Sequence, residues 1–369
     1  MKLEFNKDQL INALGIVSRA IPVRTTNPIL ECILFDAGSD EIRLSSNDTE
    51  LGIETVCDGT IVEKGKVALE AKLIYEIVRK FDSGEAPVVI ESDPSFMTTI
   101  SCDNAVFNIQ GKDGEEFSYL PSIEKDNYIV LSQMTLKDAI RKTIFSAALN
   151  DTNKMMGGEY IEVNGSIVKF VALDGHRIAI RNVEMKQEYG NAKVIVPGKT
   201  VNEISKILKD DNESEVVICF SKNHILFEFE NTVIVSRLIE GEYFRIEHML
   251  SRDYETKVQV NRNRLVGNID RATILIRESD HKPIIFDIRD QVIRMQVKTA
   301  YGTMKGEVGC VKEGKDLMIA FNPKYMIDAL RAAEDEEVSI YLTNAKAPCF
   351  IRDEKESYIY LILPVNFVV

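Results

Sequence analysis

The sequence predicts an α+β protein built as three tandem copies of one unit, each with two helices and about eight strands. Three observations lead there. One order of elements, a strand and a helix followed by strands and then a second strand, helix and strands, returns with a period of about 120 residues, too long for a solenoid. The helices are amphipathic and the strands alternate, so each must bury one face; a layer of helices on one side of antiparallel sheets does this for all of them. The chain, 369 residues and 45% hydrophobic, is long enough for several such cores.

The first copy opens with an alternating strand, Lys2–Phe5. A helical pattern follows over Asn6–Arg19, with Leu10, Ile11, Leu14 and Val17 at spacings of three and four, and Pro22 and Pro28 flank the loop after it. Strand patterns run over Ile29–Asp36, Glu41–Ser45 and Leu51–Cys57. Lys66–Glu70 then leads into a helix over Ala71–Phe81, and Pro87–Glu91, Met97–Cys102 and Ala105–Ile109 complete the set. The second copy repeats this with Tyr128–Leu131, a helix over Met134–Leu149, strands Gly158–Val163, Ser166–Leu173 and Arg177–Val183, then Lys193–Val196 and a helix over Gly198–Lys209, then Glu215–Phe220, His224–Glu228 and Thr232–Arg237. The third has Glu255–Val260, a helix over Arg262–Arg277, strands Pro283–Ile288, Val292–Thr299 and Gly302–Gly309, then Asp316–Ala320 and a helix over Pro323–Ala332, then Glu337–Leu342, Ala347–Arg352 and Ser357–Leu363. The predicted domains are 1–127, 128–250 and 251–369.

Net charge is −13, which on bulk charge alone argues against a nucleic-acid partner. Its distribution argues the reverse. The six predicted helices hold 17 Lys and Arg against six acids, so they carry +11 and the rest of the chain −24. If the helices share one side, that side is a basic surface suited to phosphate backbones. No aromatic residues interleave to stack bases, and no helix-turn-helix or zinc-finger spacing occurs. Backbone contact without sequence reading is the expected mode.

The cysteines, Cys32, Cys57, Cys102, Cys219, Cys310 and Cys349, are scattered without a CxxC pair and read as buried thiols in a reducing compartment. No signal-peptide pattern follows Met1, and no apolar run approaches the ~20 residues of a membrane span, so a cytoplasmic protein is expected. Gly198-Lys199-Thr200 imitates the end of a phosphate-binding loop, but Lys193 stands where its first glycine is needed and Pro197 removes an amide donor; a helix N-terminus is expected there. The histidines, His176, His224, His248 and His281, lack metal-ligand spacing, and His224 and His281 read as surface residues. No metal or cofactor is expected.

One stretch stands out. Asp174-Gly175 between apolar runs is a hairpin-turn signal, and His176 and Arg177 beside it invite a catalytic reading as an enzyme of nucleic-acid metabolism. No nucleophile, base and orienter set accompanies them, so no enzyme is expected. A binding protein unconnected with DNA is the other alternative. The first and third copies have Asn47-Asp48-Thr49-Glu50-Leu51 and Thr299-Ala300-Tyr301-Gly302 at the matching turns, so Gly-His-Arg belongs to the middle copy alone. A turn needed merely to fold each copy should recur in all three. The run therefore reads as a docking feature, and His176→Ala or Arg177→Ala should weaken partner binding and leave the assembly intact.

Three copies with basic helices, the run Ala172-Leu173-Asp174-Gly175-His176-Arg177-Ile178-Ala179, the segment Ser236-Arg237-Leu238-Ile239-Glu240-Gly241 and the ending Tyr360-Leu361-Ile362-Leu363-Pro364-Val365 resemble the bacterial sliding clamps, the β subunits of DNA polymerase III, over the whole chain. The resemblance implies a non-catalytic subunit. It would form a head-to-tail homodimeric ring, helices lining the inside and sheets outside, that encircles duplex DNA and tethers the polymerase. Helix packing agrees: at ~8–10 Å between axes, six helices leave no room for a duplex, whereas twelve leave a hole of ~21–28 Å. Two chains admit DNA and one does not.

The resemblance also implies site residues. Arg24 matches a position that touches DNA; on the helices Lys72, Arg79, Lys80, Arg141, Lys142, Lys199, Lys206, Arg264, Arg271, Lys324 and Arg331 are the candidates to face phosphate. The ring would close where Phe107 and Ile109, on the edge strand of the first copy, pack against Ile274 and Leu275 on the helix of the third. Partners in the family (the polymerase III catalytic subunit, the clamp loader, repair and ligation enzymes) bind through a short peptide with a Gln and hydrophobic anchors. The matching pocket comprises Met156, Leu173, Gly175, His176, Arg177, Ile178, Phe244, Met249, Leu361 and Leu363. The chain departs from the family at Phe244, where many members carry proline, and in the tail Asn366-Phe367-Val368-Val369, where Asn366 replaces a common basic residue.

Overall fold

Strand hands directly to helix at the start of each copy, and asparagine makes several of the joints. Asn6 Oδ1 accepts from the amides of Asp8 (2.9 Å) and Gln9 (3.3 Å), Asn261 from that of Arg264 (3.1 Å), and Asn322 from that of Lys324 (2.9 Å). Such a cap is worth about 1 kcal/mol. The computed structural model describes residues 1–82, 84, 86–148, 153–277 and 282–367. Leu149, His281, Val368 and Val369, on which some expectations rest, lie outside the described residues.

In chain order the first copy holds β1 (Lys2–Phe5), α1 (Lys7–Val17), β2 (Cys32–Asp36), β3 (Arg43–Asn47), β4 (Leu51–Val56), β5 (Thr60–Glu63), β6 (Lys66–Glu70), α2 (Ala71–Lys80), β7 (Val88–Ser92), β8 (Met97–Cys102), β9 (Ala105–Gln110) and β10 (Lys112–Asp113). The second holds β11 (Tyr128–Ser132), α3 (Gln133–Arg141), β12 (Gly158–Leu173), β13 (Arg177–Pro197), α4 (Gly198–Ile207), β14 (Glu215–Phe220), β15 (His224–Phe229) and β16 (Thr232–Arg237). The third holds β17 (Thr256–Asn261), α5 (Arg262–Thr273), β18 (Ile284–Arg289), β19 (Val292–Thr299), β20 (Gly302–Gly314), β21 (Leu317–Phe321), α6 (Pro323–Ala332), β22 (Glu337–Leu342), β23 (Cys349–Arg352) and β24 (Tyr358–Ile362).

The chain divides into two compact units. The first, Met1–Met134 with Lys206–Leu238, contains a five-stranded sheet (β5-β1-β7-β8-β9) and a nine-stranded sheet (β10-β6-β2-β3-β4-β16-β15-β14-β11). Helices α1 and α2 pack together there and bury Leu10, Leu14, Val17, Ile74 and Val78 completely. Each such side chain contributes roughly 1.5–3 kcal/mol. The second unit, Thr135–Ser205 with Ile239–Val369, contains a ten-stranded sheet (β12-β13-β24-β23-β22-β17-β20-β19-β18-β21). Its main core joins Leu265 and Ile269 of α5 and Met326 and Leu330 of α6 to Phe286, Ile293 and Phe321.

The two large sheets run through the predicted domain boundaries. In the first unit β4 pairs with β16, Leu51 to Thr55 against Ser236 to Thr232. In the second, β13 pairs with β24, Arg177 to Arg181 against Ile362 to Tyr358. All these pairings are antiparallel.

Several elements differ from expectation, each for a local reason. Ile29–Glu31 is a 3-10 turn, because Pro28 opens it and the Asn27 side chain accepts from the Ile29 amide (3.3 Å). The break expected at Asn164–Gly165 is a bulge inside one long strand: the register with β13 shifts there, and Gly165 takes a φ of +59°. The helix expected to reach Leu149 ends at Arg141. Thr143 Oγ1 donates back to the Ala139 carbonyl (2.7 Å), and a 3-10 turn, Ile144–Ser146, follows. Strands β5 and β10 were not expected; β5 is a mostly exposed edge strand and β10 only two residues, so neither shows a buried alternation. Among the described residues no helix is long and apolar enough to cross a membrane.

Candidate functional site

The turn between β12 and β13 is built by Asp174 and Gly175. Asp174 Oδ1 accepts from the amides of His176 (3.0 Å) and Arg177 (3.1 Å), and Gly175 takes a φ of +80°. Nothing would obstruct a Cβ at Gly175, so glycine is needed there for its backbone freedom, not for space. Below the turn lies an apolar row that crosses five strands. Leu173 pairs with Ile178, Ile178 with Leu361, Leu361 with Phe350, and Phe350 with Tyr341. These residues form one cluster with Val171, Ile180, Ile246 and Ile359, against which Met156 and Phe244 pack.

Of the predicted pocket residues, Met156, Leu173, Ile178, Phe244 and Leu361 therefore share one apolar patch. Met249 and Leu363 border it, 51% and 37% exposed; Met249 follows Ile246 in a 3-10 turn, and the Leu363 amide donates to the His176 carbonyl (2.9 Å). His176 is exposed, and its ring stacks on Tyr325 of α6 at 6.2 Å.

Arg177 corrects the sequence reading. Its side chain is only 7% exposed. Nε donates to Asp174 (2.9 Å), one terminal nitrogen to Asp328 of α6 (2.7 Å) and the other to the Phe145 carbonyl, with the guanidinium 4.3 Å from the Tyr325 ring centre. It is a buried tie between the turn, α6 and the segment after α3, so it holds the pocket's edge in place and its loss would cost stability as well. The same ties, with the turn's backbone amides, occupy the Asp174 carboxylate. Sequence reasoning missed Tyr325, Asp328 and Phe145. They sit far along the chain, and no local pattern marks them. It also missed Tyr160 and Tyr243, which stack at 4.8 Å beside the pocket.

Glu159, next to Tyr160, is fully buried. One carboxyl oxygen meets the Thr143 hydroxyl oxygen, whose proton goes to the Ala139 carbonyl, and the other has no hydrogen-bond partner. Burial pushes its pKa up from 4.5 to about 8, against a smaller lowering from Thr143.

The predicted phosphate-facing residues Arg24, Lys72, Arg79, Lys80, Arg141, Lys199, Lys206, Arg264, Arg271, Lys324 and Arg331 are all exposed. Arg79 pairs with Glu76 (2.5 Å) and Arg331 with Asp270 (3.8 Å). Lys142 is the exception: its side chain is 14% exposed and pairs with Asp138 (2.6 Å) and Glu334, so its charge is spent inside the second unit. Gly198-Lys199-Thr200 starts α4. Among the described residues no cluster of three His, Cys, Asp or Glu is placed to hold a metal.

Of the residues expected at a dimer contact, Phe107 (40% exposed) and Ile109 lie on β9, an edge strand, with the Phe107 ring 5.9 Å from Phe81. Ile274 is 80% exposed at the end of α5, whereas Leu275 packs partly against its own core. A second free edge went unforeseen. The first half of β20, Gly302 to Gly309, pairs with β19 on one side, and only the second half, Cys310 to Gly314, pairs with β17.

Comparison with known proteins covers the whole chain. Residues 1–121, 130–244 and 247–366 match the models for the N-terminal, central and C-terminal domains of the DNA polymerase III β subunit. The chain is 33% identical to the β sliding clamp of Bacillus subtilis (99% of this chain, 100% of that one) and 32% identical to that of Staphylococcus epidermidis (99% of each). It superposes on the crystal structure of the Bacillus subtilis DNA polymerase sliding clamp with a TM-score of 0.95 at 31% identity, covering 100% of both chains. A solved structure from Eubacterium rectale is 55% identical, with a TM-score of 0.96 over 100% of this chain and 99% of that one.

Proposed function

Because the chain belongs to the family of DNA polymerase III β subunits, the sliding clamps, we propose that two copies close head to tail into a ring that encircles duplex DNA and tethers the replicative polymerase. The observation that carries the reading is the split of charge: an acidic chain whose exposed cations on α2 to α6 oppose a net-acidic remainder. A closed ring does not need tight binding. The acidic remainder repels stray phosphate, while a basic lining tolerates it and lets the ring slide. Arg24 and the ten exposed helix cations named above would form that lining; Lys142 would not.

The ring would close by edge pairing. Among the described residues the outer edge of β9 and that of the first half of β20 each have no strand partner, and such edges need a partner or a cover. Phe107, Ile109 and Ile274 would pack beside that seam, with Leu275 behind them. The domains would be 1–127, 128–250 and 251–369, all working beside the DNA in the cytoplasm. The subunit would do no chemistry and need no cofactor. Polymerase, clamp loader and other clamp-binding proteins would insert a hydrophobic peptide over the row Leu173, Ile178 and Leu361, walled by Met156, Phe244, Met249 and Leu363 and flanked by His176.

The test is topological. The protein is loaded on nicked circular DNA with a clamp loader, and the circle is then linearised. A clamp leaves through the free ends; retention on the linear form, or failure to load, refutes the ring.

A further inference from the structure

The second unit carries a groove of about 860 Å³ that lies outside the proposed peptide pocket. It lies on the face of β18–β21 turned away from the helices. Ile284, Phe286, Ile288, Ile293, Met295 and Val297 point into the core, so Ile285, Asp287, Arg294, Gln296 and Lys298 point out. Registers lay these residues in rows. Glu307, Arg294, Asp287 and Met318 form one, in which Arg294 stands between two acids. Lys305, Gln296, Ile285 and Ala320 form the next, and Lys298 lies beyond it opposite Thr303. At this end Lys282, Lys298 and Lys305 are exposed around an apolar floor of Pro283, Ile285 and Phe367. Lys298 and Lys305 have no ion pair among the described residues, in a chain whose net charge is −13.

The chain's own end runs from the proposed peptide pocket to the groove. Leu363 is tied to His176 at the pocket, the Val365 amide donates to the Ala320 carbonyl (2.8 Å), and Asn366 and Phe367 line the groove. Four residue steps span at most about 14 Å.

We propose that the groove is a second seat for the partner whose peptide fills the pocket, and that it takes an extended segment with two or more carboxylates beside one apolar side chain. This rests on the pocket reading above. The carboxylates meet Lys282, Lys298 and Lys305, and the apolar side chain joins Ile285 and Phe367. Pocket and groove lie close enough for a short linker to keep the second segment at millimolar effective concentration.

The experiment uses the full-length protein and labelled peptides read by fluorescence anisotropy. A short probe carries one Gln and two hydrophobic anchors. Longer probes add Gly-Gly-Asp-Phe-Asp-Glu at one end or the other, and controls carry Asn and Gln in place of the acids. One long probe should bind about tenfold tighter than the short one. Lys282→Glu with Lys298→Glu, both exposed and outside β20, should abolish that gain and leave the short probe's affinity unchanged. The proposal is overturned if neither long probe gains, if the amide controls gain equally, or if the gain survives the double variant. It is also overturned if the variant changes the oligomeric mass instead, since the groove would then belong to a contact between copies. If the short probe itself does not bind, the pocket reading fails; the acidic hexapeptide alone at millimolar concentration, on wild type and double variant, then still decides the groove.

Discussion

Replacing Glu159 by Gln should stabilise the protein, by an amount that depends on pH in a defined sense. The side chain is fully buried at the start of β12, with one oxygen on the Thr143 hydroxyl and the other unpartnered. Its folded pKa, about 8, lies above the ordinary 4.5. The folded state therefore holds a proton that the unfolded chain releases above pH 4.5. Stability from this group is fully present below the unfolded pKa and falls as pH rises toward 8. At pH 7 the loss is the cost of keeping the carboxyl neutral, about 3 kcal/mol at most. Gln is neutral at every pH, and its amide N–H donates to the Thr143 oxygen as the protonated acid does. Glu159→Gln should thus give almost nothing at pH 4.5–5, about 2–3 kcal/mol near pH 7, and a plateau above pH 8. Chemical denaturation followed by circular dichroism at pH 5, 7 and 8.5 reads this out. A gain of equal size at all three values would assign the effect to packing, and a loss at pH 8.5 would refute the account of a neutral buried acid.

Three further outcomes are expected. Arg177→Ala should cost about 2–4 kcal/mol in denaturant unfolding, since it strands Asp328 and Asp174; His176→Ala should change stability by less than about 0.5 kcal/mol and still weaken peptide binding. Phe107→Glu should convert a dimer into a monomer in sedimentation at micromolar concentration, and an unchanged mass would remove β9 from the seam. Lys72→Ala with Arg264→Ala should lower retention on closed circular DNA and flatten its salt dependence by about one unit for each phosphate no longer neutralised, whereas Lys142→Ala should leave that slope unchanged and lower the melting temperature.

Local patterns made most of the fold legible. Leu10, Leu14 and Val17 at helical spacing and Asn6 ahead of them mark α1 before any tertiary contact is known. Asn164–Gly165 shows the limit: the same residues can turn a chain or bulge a strand, and the partner strand decides. Family resemblance pointed to Leu173, Ile178 and Leu361, which share one apolar cluster, but one physical signal also lay in the sequence. Tyr358 to Ile362 is apolar and buried throughout, which means both faces of β24 are covered. A strand beside an ordinary solvated face would alternate. The charges were legible only in sum. Arg141 and Lys142 are neighbours, yet Arg141, which ends α3, is exposed and Lys142, just past it, is spent in ion pairs with Asp138 and Glu334. Nothing local shows that Arg177 reaches Asp328, 151 residues away.

The strands shared between successive copies also set a schedule for synthesis. Thr55 of β4 meets Thr232 of β16 across 177 residues, their hydroxyls 2.9 Å apart. At about 5–20 residues per second, the first copy leaves the ribosome roughly 10–35 seconds before the strand that completes its sheet. During that interval Leu51 and Ile53, buried in the finished protein, lie on a bare edge. The β13 edge waits about as long for β24. The copies are thus repeats of one order of elements that cannot mature one at a time, and the nascent first copy is the stage at which a chaperone, or a stalled ribosome, would matter most.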